Sequence, residues 1–236
     1  MRLAFTLIEL IFVITIVGIL AMIAMPRFGS DDLAYARDQV IRHIRYTQHL
    51  ALMDDKYLSE AKLSKYTNTD RKLKDSTVWF KKMWQIQFHQ NKVNNLDDDS
   101  YSIYSDRPTA TQDTNYMGIT PIVQFASDPQ TGLWLAGRPA EDATTITSTN
   151  RLVDVDITDK YGVIVNMDTC TITNDTVSSN HILFDHLGRP YCLPNTFNEF
   201  NPYKLLSTKQ IRIHLSKNND TLDICVEPES GYVHEC

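Results

Sequence analysis

Residues Phe5 to Met25 read FTLIELIFVITIVGILAMIAM, an apolar run of 21 residues whose single ionisable side chain is Glu9. As a helix rising 1.5 Å per residue, a run of this length reaches about 31 Å, the thickness of a bilayer core. Only Met1, Arg2, Leu3 and Ala4 precede it, so its positive flank is one Arg and the chain amine. Arg27, Asp31 and Asp32 follow, and the chain is polar from there on. A membrane-spanning segment with the N-terminus inside and the bulk of the chain outside is the expectation. A cleaved secretory signal fits poorly, because its apolar core is shorter and acid-free, and Ala21 and Ala24 lack the A-x-A spacing. A plain anchor leaves Glu9 unexplained. An ionised carboxylate costs about 2.5–3.5 kcal/mol at a bilayer centre and calls for a partner.

Beyond Pro26 the apolar residues Leu33, Ala36, Val40, Ile44, Thr47 and Ala51 recur at steps of three and four, which predicts an amphipathic helix over 26–58. Arg37, Arg42 and Arg45 fall off that stripe, on a solvated face or at subunit contacts. Joined to the apolar run, this makes one helix of about 50 residues, roughly 75–80 Å long. Pro26 lacks a backbone donor and kinks it, and Gly18 weakens it where a neighbour approaches. Residues 59–77 carry Lys62, Lys65, Arg71, Lys72 and Lys74 without an apolar period and read as a polar linker.

From Val78 onward the period becomes two. Trp84, Ile86 and Phe88 alternate with Gln85, Gln87 and His89, and a polar turn leads to Tyr101–Tyr104, a predicted hairpin. Further predicted strands are 122–125, 133–135, 152–157, 162–165, 181–184, 211–215 and 222–226. The expected fold is α+β: a long N-terminal helix, transmembrane then amphipathic, packed on a C-terminal antiparallel β-sheet domain over 78–236.

The segment Ala4-Phe5-Thr6-Leu7-Ile8-Glu9-Leu10, followed by the apolar run through Gly18 to Pro26, resembles the class III signal of the type IV pilins and type II secretion pseudopilins. The resemblance covers residues 4–28. It implies cleavage between Ala4 and Phe5 by a prepilin peptidase, releasing residues 1–4 as a leader, and N-methylation of Phe5. Ala4 stands where the family usually has Gly. Glu9 matches the family's assembly glutamate, and Pro26 its helix-kinking proline. The later segments Trp84-Gln85-Ile86, Tyr101–Tyr104, Phe184–Gly188 and Ser230–Val233 are similar to minor pseudopilins of the GspH/FimT type. Partners implied are other pilin or pseudopilin subunits and an inner-membrane assembly platform. The implied location is the bacterial inner membrane, single-pass, with the C-terminal domain in the periplasm, then a filament or the cell surface.

Four cysteines, Cys170, Cys192, Cys225 and Cys236, lie on the exported side, where an even count favours disulfides and three pairings are open. A two-residue hairpin centred on Ser230-Gly231 sets Cys225 directly opposite Cys236 and leaves Cys170 with Cys192. A zinc reading of His181, His186 and Cys192 has unsuitable spacing. Asp97, Asp98 and Asp99 read as a solvated turn. Asp154, Asp156 and Asp159 before Gly162 alternate with Val153, Val155 and Ile157, which favours a strand over a calcium loop.

No G-x-S-x-G elbow, P-loop, H-E-x-x-H or paired-carboxylate motif occurs, and His43, His49, His89, His214 and His234 suggest no catalytic arrangement. With 8 glycines there is little material for phosphate-cradling loops. The expectation is a non-enzyme without cofactor or metal: a structural, minor subunit of a pilus or pseudopilus assembled through its N-terminal helix. A second reading is a DNA-uptake minor pilin, in which Lys62, Lys65, Arg71, Lys72, Lys74, Lys81 and Lys82 lie near Tyr66, Trp79, Phe80 and Trp84. The net charge of −6 argues against that reading. A third is a membrane-anchored periplasmic domain that never polymerises.

Overall fold

A computed structural model describes residues 7–24, 32–54, 83–90, 92–93, 96–106, 123–137, 149–194 and 205–236. The chain divides into two compact units, Met1–Asp31 and Asp32–Cys236.

The first unit holds helix α1 (Leu7–Ala24), 18 residues against the 21 of the apolar run. At 1.5 Å per residue it measures about 27 Å. Among the described residues no helix is long and apolar enough to cross a membrane. This corrects the expected single-pass inner-membrane placement with a periplasmic C-terminal domain.

The fold class is corrected as well. No long N-terminal helix packs on a sheet; the helix that does so is α2 (Asp32–Met53), a 22-residue element of the second unit. The physical difference is amphipathicity. Apart from Glu9, α1 is apolar on all sides, so no side is marked for a sheet, whereas α2 carries a defined stripe. Pro26 and the linker 59–77 lie outside the described residues.

The second unit is built on antiparallel pairings throughout its described strands. Its strands are β1 (Trp84–His89), β2 (Lys92–Val93), β3 (Leu96–Asp97), β4 (Ser100–Asp106) and β5 (Val123–Phe125), then β6 (Ile164–Met167), β7 (Cys170–Ile172) and β8 (Asp175–Val177). They continue with β9 (His181–Phe184), β10 (Pro190–Leu193), β11 (Ile211–Lys217), β12 (Asp220–Val226) and β13 (Val233–Glu235). One sheet runs β10-β9-β1-β4-β5 and the other β13-β12-β11-β6, with β2-β3 and β7-β8 as small ribbons.

Helix α2 packs against β1 and β9 of the first sheet and against β11, β12 and β13 of the second. Its stripe of Leu33, Ala36, Val40, Ile44, Thr47 and Ala51 is buried as the period predicts. It meets Ile86, Phe88, Tyr101 and Ile103 in the same core as Ile182, Phe184, Ile213, Leu215 and Ile224. Each such side chain contributes about 1.5–3 kcal/mol by leaving water.

Three local expectations fail. Residues 152–157 form no strand: a 3-10 turn (Val153–Val155) leads into helix α3 (Ile157–Tyr161), which ends at Gly162 with φ 65. Specific polar partners override the alternation there: Arg151 pairs with buried Asp156 at 2.8 Å, and from far along the chain the Asp99 carbonyl accepts the Thr158 N–H. Residues 133–135 contribute only bridges at Trp134. Asp98 and Asp99 are buried rather than solvated, because the Asp99 carboxylate accepts the Val165 N–H at 2.8 Å.

Candidate functional site

The surface of α1 is the first candidate. Leu7 is 78 % exposed, Phe12 64 % and Ile19 62 %, and Ile8, Leu10, Ile11, Val13, Ile14, Ile16 and Val17 are exposed with them. These positions circle the helix, and no charge interrupts them except Glu9 in the first turn. Thr15 hides its polarity by donating its hydroxyl back to the carbonyls of Ile11 and Phe12, each at 2.9 Å. A Cβ placed on Gly18 meets nothing within 4 Å, so the space that glycine leaves is open to another molecule.

The second candidate is the outer side of α2. An open groove of about 740 Å³ is lined by Tyr35, Asp38, Ile41, Arg42, Arg45 and Tyr161. Asp38 is held by Arg37 at 2.8 Å, and Arg37 also reaches Glu235 at 2.7 Å. Burial pulls the Arg37 pKa down, but these two carboxylates outweigh it and hold it above its ordinary value. Arg45 donates through Nε and Nη2 to the Val233 carbonyl at 3.2 and 2.6 Å, and its guanidinium lies 5.9 Å from the Tyr232 ring centre. Arg37 and Arg45 are therefore clamps on the C-terminal strand rather than a merely solvated face.

Beneath that groove runs a polar chain. The Tyr161 hydroxyl donates to Gln39 Oε1 at 2.7 Å, and Gln39 Nε2 donates to the Tyr101 hydroxyl at 2.8 Å and to the Asp154 carbonyl at 2.7 Å. The Tyr101 hydroxyl in turn lies 2.5 Å from His43 Nδ1. Burial, reinforced by Arg42, lowers the His43 pKa to about 4, and burial raises that of Tyr101. Both rings are therefore neutral near pH 7, and the hydrogen bonds tie α2 to β4 and α3. Gln39 escaped the sequence reading; its signal was a polar residue standing on the apolar stripe of α2.

Both expected disulfides form: Cys170–Cys192 ties β7 to β10, and Cys225–Cys236 ties β12 to the chain end, with Cα atoms 6.3 and 5.3 Å apart. The hairpin register differs from expectation, since Cys225 faces His234 and a four-residue loop, Pro228–Gly231, replaces the two-residue turn. Cys236 sits two residues beyond the facing position, still on the same face. With Cys192 in a disulfide and His181 Nδ1 3.0 Å from Gln85 Oε1, the zinc reading of His181, His186 and Cys192 fails. No group of three or more His, Cys, Asp or Glu among the described residues could hold a metal ion.

Ala4, Phe5 and the basic cluster from Lys62 to Lys82 with Tyr66, Trp79 and Phe80 lie outside the described residues. Trp84 is described: it is 3 % exposed and donates its indole N–H to Asp54 at 3.1 Å, so it offers no ring for stacking a base.

Compared with protein-family models, curated proteins and solved structures, the chain matches none.

Proposed function

We propose that this chain is a structural subunit, a minor one, of a type IV pilus or type II secretion pseudopilus, assembled through its N-terminal helix. The observation that carries the reading is α1: apolar on all sides, exposed, and interrupted by one acid. Such a surface is stable only when covered, and a bundle of α1 helices from neighbouring subunits covers every side at once. In that bundle Glu9 meets a low dielectric and requires a cation. The new amine at Phe5, freed when a prepilin peptidase removes residues 1–4, supplies one from a neighbour. Removing one member of such a buried pair strands the other at a cost of about 3–5 kcal/mol. The second unit is stapled by its two disulfides, a reinforcement suited to an exported subunit. In this reading the chain contributes packing surface and no chemistry of its own.

Mass spectrometry of the native full-length protein tests the reading. A terminus at methylated Phe5 is expected, and an intact Met1 overturns it. A Glu9→Gln variant is expected to keep both disulfides and yet be missing from sheared filaments; recovery at wild-type yield counts against the bundle.

A further inference from the structure

The groove on α2 and the loop joining β12 to β13 carry opposite charges, Arg42 and Glu229, that make no ion pair among the described residues. Asp38 is closed by Arg37, and Arg45 is committed to the Val233 carbonyl. Arg42 is left as the groove's uncommitted cation, exposed, without an ion pair among the described residues, and lining the groove together with Tyr35 and Tyr161. Tyr35 is 61 % exposed, an aromatic face turned to water.

The loop Pro228–Gly231 presents the matching chemistry. Glu229 at its tip is exposed and has φ 61, a left-handed backbone that Gly or Asn would adopt at lower cost. Glu229 also makes no ion pair among the described residues. The loop is held rigid at its base, where the Glu227 N–H donates to Tyr232 O, the Gly231 N–H to Glu227 O, and Gln48 Nε2 to Ser230 O at 2.8 Å. A carboxylate kept in an unfavourable backbone conformation on a fixed loop is a candidate recognition element. Pro228 beside it is a rigid apolar ring, the kind that aromatic-lined grooves accept at small entropic cost.

We propose that the Pro228–Glu229 tip of one copy docks in the α2 groove of a second copy, Pro228 against Tyr35 and Tyr161 and Glu229 on the Arg42 guanidinium. A copy that offers its tip to one neighbour still has its own groove to receive another, so the contact can repeat from subunit to subunit along a filament. The inference rests on the filament reading and adds to it a contact between second units, independent of α1. An exposed ion pair alone contributes little, and the ring contacts supply the buried apolar area while the charge pair fixes register.

Charge exchange in the full-length protein tests it. Arg42→Glu and Glu229→Arg are each expected to lower incorporation into filaments by about tenfold, and the double variant to recover to within about threefold of wild type. Near-ultraviolet circular dichroism and a thiol count confirm that each variant is folded and oxidised. Wild-type yield for either single variant, or a double variant no better than the singles, overturns the contact. A defect in Arg42→Glu with normal assembly of Glu229→Arg assigns the groove to an acidic segment of a different subunit and overturns the self-contact. These variants leave Glu9 and α1 untouched, so normal assembly of all three removes this contact alone. A wild-type chain that retains Met1 and never assembles removes the filament reading and the contact together.

Discussion

At the scale of single residues, histidines set the response to pH. Burial lowers His43 and His89 to about 4; burial, with help from His89, lowers His181 to about 3. Unfolding returns each to about 6.5, so the unfolded chain binds more protons in acid. Their contribution to stability is intact above about pH 6.5 and lost as the pH falls toward 4, on the order of 3 kcal/mol for His43 alone. His214 has the opposite sign: burial opposes its charge, but hydrogen bonds to Asp223 and Asp168 prevail and raise its pKa. Its contribution is present below about pH 6.5 and fades as the pH rises through the raised value. Urea midpoints should therefore drop steeply from pH 6.5 to 4.5, and His89→Gln should flatten that slope by close to one proton; a flat wild-type profile refutes the assignment.

Backbone geometry gives a second prediction at the same scale. Gly231 has φ 64, and a Cβ there would lie 2.3 Å from the Gly188 carbonyl oxygen. Gly231→Ala is expected to cost about 2–3 kcal/mol in chemical denaturation.

At the scale of elements, α2 is the shared wall of both sheets, so trimming its centre loosens two layers. Ile44→Ala is expected to destabilise the fold by about 2–5 kcal/mol, measured by urea unfolding. Side chains also close the exposed edge of β6, where Asp99 takes the Val165 N–H and Gln90 Nε2 donates to the Val165 carbonyl at 3.0 Å. Asp99→Ala leaves that amide unpaired, for an expected loss of about 1.5–3 kcal/mol in the same assay. Replacing Cys225 and Cys236 together by Ala should cost about 2–4 kcal/mol and release β13 to faster amide exchange.

These elements also show what sequence periodicity can and cannot convey. The stripe of α2 and the strands at 84–89, 181–184, 211–217 and 220–226 follow from apolar spacing, because each buries a face that the pattern itself defines. Residues 153–157 alternate just as cleanly and form a 3-10 turn and a helix start instead, a choice to which the distant Asp99 carbonyl contributes by accepting the Thr158 N–H. The burial of Asp99 and Gln39 was illegible for the same reason: their hydrogen-bond partners are far along the chain.

At the scale of the whole molecule, the lone acid and the all-round apolarity of α1 could be read directly, whereas the division of the chain into two compact units could not. A run of apolar letters fixes composition but not where helical geometry begins and ends. The clamp of the C-terminal strand by Arg37 and Arg45 was equally hidden, because its acceptors, Glu235 and the Val233 carbonyl, lie almost two hundred positions away.

Along its 22 residues α2 is stitched to its surroundings at successive levels: Asp32 to Lys217 at 2.6 Å, Arg37 to Glu235, Gln39 to Tyr101, Arg45 to Val233, Tyr46 to the Ser127 carbonyl at 2.9 Å, and Gln48 to Gly188 and Ser230. Tension applied along this helix would load those ties side by side in shear, instead of opening them one after another like a zip. A domain fastened in this manner yields abruptly and only at high force, so single-molecule stretching along α2 should produce one tall rupture peak rather than a staircase.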